Sequence, residues 1–452
     1  MSIKSLLATA ALLSSSLFAV DEDHHTILIS IDGFPAWLWK EPALAVPNLR
    51  KLAAEGAQTE AMTVSNPSIT WINHTTLVTG VSPRKHGVLF NGLLVRQPDG
   101  KPPKIEQWVD KTKLVFAPTI YDIAHEAGLT TAESDWVAVT RAKTINWSFP
   151  ELPSLEDKLV QEMIADGAFS AEKVSWMQLG PGRKNVAWLD ESWTRAAQYI
   201  FTKHKPNLLM YHILNTDATH HTYGPGSMAS FTALAYADRL VGDLIKTVDD
   251  SGLRDKTTIF VATDHGFKKV NKLVLPNVAL KKAGYAMGLG PSITKCDAAA
   301  MAQGGMCFIY VTDPARKAEL LPKLKELFTQ TEGVERVIDG NDGPSLGMPT
   351  PAENPGMGDL VLYPKPGYAF KPDAAGDAVV TPAVNYGGTH GYFNGDPELD
   401  GIFIANGRGI RKGVVLPRMA NLDVAPTMAR LMGLTLPAPE GRVLEEILEP
   451  QP

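Results

Sequence analysis

The sequence lacks a strong charge of either sign, a set of cysteines and, beyond its first twenty residues, any apolar run of membrane length. Its formal net charge of -6 gives no reason to expect binding to a nucleic-acid polymer or to an anionic membrane. An anionic substrate would therefore have to be held by local charge, such as metal ions. No internal repeat or low-complexity tract is present, and 452 residues of ordinary composition are enough for a large core.

The only two cysteines, Cys296 and Cys307, lie in a segment rich in Gly, Ala and Met. In an oxidising compartment they can close a short loop, and we expect this disulfide. Two unpaired buried thiols are the alternative. We expect no catalytic cysteine.

The N-terminus is typical of a secretory signal peptide. Lys4 precedes an apolar run that is interrupted by Ser and Thr, and Ala19 stands before the acidic stretch DEDHH. We expect a signal peptide over residues 1–19 and a periplasmic or secreted protein without a stable membrane anchor. An uncleaved anchor is the alternative, which the short and polar-spotted run disfavours.

Three buried-strand patterns each end in an aspartate: TILISID at Asp32, NLLMYHILNTD at Asp217 and TTIFVATD at Asp264. Helical patterns alternate with these strands and cover residues 47–56, 118–128, 191–204, 227–250 and 424–433. A late strand pattern, GIFIAN, precedes the last of these helices. The alternation predicts a mostly parallel sheet with helices on both faces. Ligands of such sheets bind at the carboxyl ends of the strands, where these aspartates fall.

Two segments interrupt the alternation. Residues 151–182 are irregular and punctuated by Pro and Gly, and residues 270–384 contain strand and helix patterns of their own. We interpret both as insertions that cap or flank the sheet of a single catalytic domain over residues 20–452.

Carboxylates and imidazoles gather at the predicted strand ends. His265 follows Asp264 directly, His221 lies four residues after Asp217, and glycines flank His390 in NYGGTHGYFNG. A lone Asp or His at a strand end is usually a solvated loop residue. Three carboxylates at one edge favour a cation, because unpaired buried charges are expensive. Carboxylate and imidazole without thiolate indicate zinc, with manganese or iron as alternatives.

Seven candidate ligands exceed one tetrahedral site and fit two. They are Asp32, Thr70, Asp217, His221, Asp264, His265 and His390. Paired metals roughly 3.5–4 Å apart are the usual arrangement for an in-line displacement at phosphorus.

The stretch NPSITWINHTTLVTG places the hydroxyl of Thr70 where a helix is predicted to begin. Taken alone, the stretch favours a helix cap. The alternative is a nucleophile at the positive end of the helix.

The order of these motifs resembles the nucleotide pyrophosphatase/phosphodiesterase family of the alkaline phosphatase superfamily. The matching motifs are DG at Asp32, TWINHTTLVTG to N from Thr70 to Asn91, DxxxHxxGP from Asp217, TDHG from Thr263, and THGY from Thr389. The tail NLDVAPTMARLMGL is also similar to the family's ending. The resemblance implies an alkaline-phosphatase-like α/β fold: a mostly parallel central sheet with helices on both faces and capping insertions.

The resemblance also implies roles for the matched residues. One zinc ion would be held by Asp217, His221 and His390, and the second by Asp32, Asp264, His265 and Thr70. Thr70 would be the nucleophile, because metal coordination makes its hydroxyl reactive. Asn91 would donate to a phosphoryl oxygen, the alternative being a turn residue before Gly92.

The sequence departs from the family next to the nucleophile. The usual Lys-Thr-Phe-Pro is here Ile69 to Ile72, and His212 stands where the family often has a Tyr that stacks on a nucleotide base. Trp71 still offers a flat apolar face, so Trp71 and His212 are candidate substrate-binding residues. Nucleotide specificity is therefore left open. Two further histidines, His86 and His220, are expected to be structural or to support ligands. The same structural or supporting role is the alternative for His212.

The sequence therefore predicts a hydrolase of phosphoric esters, a two-zinc phosphodiesterase or nucleotide pyrophosphatase acting on a small diester or nucleotide through a phospho-threonine intermediate. A phosphomonoesterase, or a phosphonate or sulfate ester hydrolase, is the alternative. Extra positive charge for a dianionic monoester would come from Arg84, Lys85, Arg141 or Lys143. A non-catalytic binding protein is a remote third reading, and the physiological substrate and the oligomeric state are left open.

Overall fold

The structure, a computed structural model, describes residues 20–179 and 184–450 as alternating helices and strands. The helices in these ranges are α1 (Ala36–Trp39), α2 (Pro47–Ala54), α3 (Thr70–Thr79), α4 (Pro83–His86), α5 (Lys111–Leu114), α6 (Ile120–Glu126), α7 (Lys158–Ala165), α8 (Ala171–Leu179), α9 (Val186–His204), α10 (Asn215–Tyr223), α11 (Met228–Asp250), α12 (Pro276–Lys282), α13 (Lys317–Thr329) and α14 (Val424–Leu431).

The strands in the same ranges are β1 (His25–Ile31), β2 (Ala57–Thr59), β3 (Met62–Thr63), β4 (Leu93–Val95), β5 (Lys104–Glu106), β6 (Thr131–Ser134), β7 (Trp147–Phe149), β8 (Leu208–Ile213), β9 (Thr257–Ala262), β10 (Lys268–Lys269), β11 (Lys272–Val274), β12 (Ala286–Leu289), β13 (Ser292–Cys296), β14 (Ala298–Gln303), β15 (Met306–Val311), β16 (Val334–Asp339), β17 (Leu360–Pro364), β18 (Tyr368–Phe370), β19 (Val380–Pro382), β20 (Gly388–Thr389), β21 (Phe403–Gly407), β22 (Val414–Leu416) and β23 (Met419–Ala420).

The central sheet has eight strands in the order β22-β2-β21-β9-β1-β8-β6-β7. Its pairings are parallel except for those of β21, which runs antiparallel to β9 and to β2. The strands β1, β8 and β9 are buried along their whole length, as expected for a sheet covered on both faces. The predicted fold class, a mostly parallel sheet between helices, is confirmed.

Alternate side chains of β1 divide the core into two layers. Ile27, Ile29 and Ile31 pack on the face covered by α2, α7, α9 and α11. Leu28 points to the opposite face, which α3, α6 and α14 cover. Because successive strand residues point to opposite faces, one apolar strand supplies both layers.

The segment 270–384 forms a second sheet with its own core. Its order is β14-β15-β17-β16, and all its pairings are antiparallel. Phe308 of β15 packs with Trp71 and Ile72 of α3, so one face of this sheet covers the helix that begins at Thr70. Helix α13 lies on the other face, against Ile309.

The segment 151–182 is more regular than the sequence predicted. It contains α7 and α8, whose buried residues Leu159, Val160, Met163 and Val174 join the main core. Of the Pro and Gly residues that made it look irregular, Pro153 and Gly167 lie in the connections around the two helices, and those at 180–182 lie outside the described residues.

The predicted disulfide is wrong for the described residues, because Cys296 and Cys307 are both free and buried. Cys296 ends β13 in a two-stranded hairpin, whereas Cys307 lies in the four-stranded sheet, opposite Ala302 and Leu362. Burial raises the pKa of Cys296 to about 12, which keeps the thiol protonated. The alternative of two unpaired thiols is the one that the structure shows.

The predicted signal peptide lies outside the described residues. Within residues 20–179 and 184–450, none of the helices combines the length and the apolar composition needed to span a bilayer.

Replacing Glu133 with glutamine should flatten the pH dependence of stability. Glu133 is fully buried at the sheet, where it accepts hydrogen bonds from Ser148 and from the backbone N–H of Trp136. Burial, with a smaller contribution from Asp157, raises its pKa from 4.5 to about 7. A carboxyl whose folded pKa is raised stabilises the fold below its unfolded value, and this contribution is lost as the pH rises through the folded value.

Between pH 5 and pH 8, this residue should therefore lower the free energy of unfolding of the wild type by on the order of 3 kcal/mol. Glu133→Gln should not show this decrease. Urea unfolding of both proteins at the two pH values, with metal content held constant, measures the difference. Glu126→Gln removes a carboxylate from an exposed position and serves as the control. Parallel pH profiles for wild type and Glu133→Gln would contradict the prediction.

Candidate active site

Two candidate ligands come together because their strands are neighbours. Asp32 follows β1 directly, and Asp264 follows β9 after one residue, Thr263. Since β1 and β9 pair in parallel, both aspartates lie at the carboxyl edge of the sheet. The sequence predicted this pair correctly.

Asp217 reaches the site from a helix rather than from a strand end. Strand β8 stops at Ile213, and Asp217 lies in the first turn of α10. The buried Asp190 of α9 holds the start of this helix, accepting hydrogen bonds from the backbone N–H groups of Leu214 and Asn215 at 2.9 and 3.0 Å. Burial raises the pKa of Asp190 to about 7.

The sequence analysis did not predict that Asp190 supports the start of α10, because the predicted helix in this region began one residue later, at Glu191. A signal was available in the sequence. Asp190 lies on the apolar stripe of α9, next to Leu189 and one turn before Trp193 and Thr194, all of which are buried.

The first ligand group surrounds the ring of His265. Its Nε2 lies 3.3 Å from Asp32 Oδ1, 3.1 Å from Asp264 Oδ2 and 3.3 Å from the hydroxyl of Thr70. The other oxygen of Asp264 accepts hydrogen bonds from the backbone N–H groups of Gly33 and His265. The backbone therefore fixes one oxygen of Asp264 and leaves Oδ2 facing the site.

The second ligand group surrounds Asp217. Its Oδ1 lies 3.4 Å from Nε2 of His221 and 3.5 Å from Nε2 of His390. The rings of His390 and His265 are stacked, with centroids 3.6 Å apart, so the two groups adjoin. Asp217, His265 and His390 offer ligand atoms within 4.8 Å of one another, as do Asp32, Asp264 and His265. The structure thus places His265 between the two groups, whereas the sequence analysis assigned it only to the group of Asp32, Asp264 and Thr70.

Each of the three ligand histidines has its Nδ1 close to a backbone carbonyl. These carbonyls belong to Gly266, Gly388 and Ser68, at 3.1, 3.0 and 2.8 Å from His265, His221 and His390 respectively. A carbonyl can only accept, so Nδ1 carries the proton and the lone pair of Nε2 faces the site. Burial lowers the pKa of His390 to about 4 and that of His265 well below its usual range, so both rings are neutral near pH 7.

Three carboxylate oxygens in the site have no hydrogen-bond partner among the described residues: Asp32 Oδ1, Asp217 Oδ1 and Asp264 Oδ2. They are the same oxygens that lie next to the histidine Nε2 atoms. Without a cation, burial raises the pKa of Asp32 to about 6, with a further contribution from Asp217. Acceptors that converge without donors fit divalent cations, and oxygen and imidazole nitrogen are zinc ligands.

Thr70 is the first residue of α3 and does not cap it. The N-cap position is Ile69, whose side chain makes no capping hydrogen bond. The hydroxyl of Thr70 instead faces His265, and the backbone N–H of Trp71 donates to Oδ1 of Asn91 at 3.1 Å. The cap interpretation of Thr70 is therefore wrong. The helix start is instead held by His74, whose Nδ1 lies 2.9 Å from the carbonyl oxygen of Thr70.

A cavity of about 670 Å³ opens beside Trp71. Trp108 and Trp136 also line it, and the rings of Trp71 and Trp108 are 6.1 Å apart in a tilted contact. Trp108 comes from the connection after β5, and its position was not predicted, because nothing in the local pattern relates that connection to α3. The cavity gives a flat apolar group space beside Trp71, the residue that follows Thr70, while Thr70 itself does not line it.

His212 does not lie in this cavity. It is buried in β8, with Nε2 at 3.0 Å from Asp32 Oδ2 and Nδ1 at 3.1 Å from Asp135 Oδ2. This position contradicts the predicted stacking role on a substrate and agrees with the alternative of a histidine that supports a ligand. The strand pairing explains the difference, because it sets His212 beside Ser30, two residues before Asp32.

Comparisons with known proteins find relatives that match most of this chain. A profile of the family described as type I phosphodiesterase/nucleotide pyrophosphatase matches residues 26–393, which include every candidate site residue from Asp32 to His390. Ectonucleotide pyrophosphatase/phosphodiesterase family member 7 of Rattus norvegicus is 24% identical over 433 residues, covering 91% of this chain and 84% of the relative. A venom phosphodiesterase of Macrovipera lebetinus is 24% identical over 437 residues, covering 92% of this chain but only 44% of the relative.

Solved structures show the same fold. Murine ectonucleotide pyrophosphatase/phosphodiesterase 5, an inactive variant in complex with AMP, superposes with a TM-score of 0.71 at 18% identity, covering 94% of this chain and 100% of that one. The human protein of the same name gives a TM-score of 0.71 at 19% identity with the same coverage. From the profile match over most of its length, the chain belongs to the type I phosphodiesterase/nucleotide pyrophosphatase family.

Proposed function

We propose that the protein is a metal-dependent hydrolase of phosphodiester or phosphoanhydride bonds, with two Zn²⁺ ions and Thr70 as nucleophile. One observation carries the proposal: three carboxylate oxygens that have no hydrogen-bond partner among the described residues and three histidine Nε2 atoms form two adjoining groups, and the hydroxyl of Thr70 lies 3.3 Å from Nε2 of His265, which stands between them. Asp32, Asp264, His265 and Thr70 would hold one ion, and Asp217, His221 and His390 the other.

Bound zinc would supply Lewis-acid chemistry, favouring ionisation of a coordinated hydroxyl and neutralising charge on phosphoryl oxygens. The oxygen of Thr70 attacks phosphorus and gives up its proton to solvent, and the bond from phosphorus to the leaving alcohol or nucleotide breaks. The leaving oxygen keeps the bonding electron pair, and an alcohol takes up a proton from solvent. The phosphoryl group is then an ester of Thr70, and water hydrolyses this ester to release a phosphate monoester and restore the hydroxyl. Asn91 accepts from Trp71 through Oδ1, so its NH₂ group serves as a donor to a phosphoryl oxygen.

The charges around the site support a diester over a monoester. A dianionic monoester needs a cationic side chain beyond the metal ions, and three of the four candidates are in ion pairs with other carboxylates: Arg84 with Glu353, Lys85 with Glu440, and Arg141 with Asp110. A diester carries one negative charge less and needs no such group.

The cavity beside Trp71 supports a substrate with a flat apolar or nucleoside substituent. AMP bound to the murine relative supports a nucleotide. A periplasmic or secreted location, with a signal peptide over residues 1–19, belongs to the same proposal and is supported by relatives named as ecto-enzymes and venom enzymes. We also propose one catalytic domain over residues 20–452, with the second sheet as an insertion.

A comparison of two synthetic substrates tests the reaction class. Bis(4-nitrophenyl) phosphate should be hydrolysed with a kcat/KM at least about tenfold higher than that of 4-nitrophenyl phosphate, which is about 1.4 kcal/mol of discrimination in the transition state. Both release the same chromophore, so leaving-group chemistry is matched. A preference for the monoester would overturn the diester assignment and favour a phosphomonoesterase.

A further inference from the structure

A chain of three buried polar side chains runs beneath the candidate metal centre. Asp135 lies 3.1 Å from Nδ1 of His212, and Nε2 of His212 lies 3.0 Å from Oδ2 of Asp32. All three side chains are at most 2% exposed. The hydrogen bond of His212 Nδ1 is made to the backbone carbonyl of Asp135, at 3.2 Å. Neither carboxylate oxygen of Asp135 has a hydrogen-bond partner among the described residues, so the carboxylate acts on the ring through its charge.

Neighbouring strands bring the three residues into line. His212 lies near the end of β8, on the face that Leu208 and Met210 present to the core under α3 and α6. Asp32 follows β1 on one side of β8, and Asp135 follows β6 on the other. Asp135 has a φ of 60°, and its backbone N–H donates to Phe149 at 2.9 Å, which anchors this turn.

The surroundings keep water out of the chain. The ring of His74 packs edge-on against His212 with centroids 4.5 Å apart, and Trp136 packs against His74 at 4.8 Å. Burying an imidazole between two carboxylates is rarely a gain in stability over apolar side chains of similar volume. Since the other β8 residues of this face are apolar, the fold alone does not account for His212.

The contacts of Asp32 suggest what the chain does. A carbonyl and a carboxylate both accept, so His212 donates from both nitrogens, Nδ1–H to the backbone carbonyl of Asp135 and Nε2–H to Oδ2 of Asp32. Oδ1 of Asp32 faces Nε2 of His265 and has no hydrogen-bond partner among the described residues. A carboxylate that binds a metal ion through one oxygen is commonly oriented by a hydrogen bond at the other.

We propose that His212, itself held by Asp135, is a positioning residue that directs Oδ1 of Asp32 toward the metal ion shared with Asp264 and His265. This inference rests on the proposed function only in requiring that the site binds metal. His212 then sets the affinity of one of the two sites and not of the other.

Zinc binding to His212→Phe tests the inference without relying on activity. Phenylalanine keeps a flat ring and removes both nitrogens. Competition with a chromogenic chelator should show zinc affinity reduced about 10–100-fold at one site, with the second site unchanged. His212→Gln keeps an N–H donor for Asp32 and should recover much of the lost affinity, which a merely structural role does not predict.

His24→Phe is the matched control. His24 is also a buried histidine, bonded to Thr258 at 2.7 Å and to the carbonyl of Leu431 at 3.1 Å, at the opposite end of β1. Its replacement should leave both zinc affinities as in wild type. If His212→Phe does not fold by circular dichroism, Asp135→Asn decides the question. It keeps the ring and the backbone carbonyl but removes the negative charge beside Nδ1 that favours a ring protonated at both nitrogens, so it should weaken the same site.

Wild-type affinity at both sites in folded His212→Phe, or in Asp135→Asn where His212→Phe does not fold, would overturn the inference and leave the proposed function intact. A wild-type protein that binds no zinc, manganese or iron would overturn both. Loss at one site, with recovery in His212→Gln, supports it.

Discussion

Thr70→Ala should lower the turnover of a phosphate diester by roughly three orders of magnitude or more, a loss typical of removing a covalent nucleophile. The alanine has no oxygen to attack phosphorus, and no other hydroxyl contacts His265 at this point of the site among the described residues. Zinc content and the unfolding temperature should stay close to those of wild type, because Asp32, Asp264 and His265 remain as ligands. Initial rates, metal analysis and thermal unfolding of the same preparation measure the three quantities.

Two companion variants make this result specific. Thr79→Ala removes a buried threonine hydroxyl from the other end of α3, where it donates to the carbonyl of Thr75, and it should keep wild-type turnover. Thr70→Ser keeps a hydroxyl at the same position and should keep part of the activity. If Thr70→Ala turns over at a rate close to that of wild type, Thr70 is not the nucleophile.

Removing the metal ions should abolish hydrolysis and destabilise the fold. The site contains three carboxylates, each with one buried oxygen that has no hydrogen-bond partner among the described residues, and a cation is the group that compensates them. Binding at a thousand times the dissociation constant contributes about 4 kcal/mol per site, which is lost on chelation. Dialysis against a strong chelator, followed by addition of Zn²⁺, Mn²⁺ or Fe²⁺ singly, should identify the metal that restores activity and the unfolding temperature.

The destabilisation should grow with pH. In the metal-free protein, burial and then the charge of Asp217 raise the pKa of Asp32 from 3.8 to about 6. Since the folded value lies above the unfolded one, this carboxyl stabilises the metal-free fold below about pH 4 and loses that contribution as the pH rises through 6. A bound cation favours the ionised carboxylate and removes this loss. The gap in unfolding temperature between metal-loaded and metal-free protein should therefore be wider at pH 7.5 than at pH 5, and a constant gap, or full activity after chelation, would contradict the metal-dependent mechanism.

Much of the fold was predictable because the relevant signals are local. The apolar runs of β1, β8 and β9 and the periodicity of α2, α6, α11 and α14 are properties of consecutive residues, and the structure bears them out within a few positions. The boundaries of α9, and the existence of α7 and α8, were harder to predict from the sequence. Pro and Gly in the flanking connections interrupt the pattern of these short helical segments. The polar strand β6, of sequence TAES, was not predicted at all, since its burial comes from neighbouring elements and not from its own composition.

The sequence by itself determined the candidate ligands, the candidate nucleophile and the fold class, because each depends on residue type and on order along the chain. Only the tertiary structure decided which groups touch. It places Asp217 in the first turn of α10 and not at a strand end, and it leaves Cys296 and Cys307 unbonded. It places the ring of His212 against Asp32 and Asp135 and not in the cavity predicted for a substrate. The physical reason is that a side chain's partners depend on strand pairing and helix placement, which join residues far apart in sequence, and no local pattern encodes the distance between them.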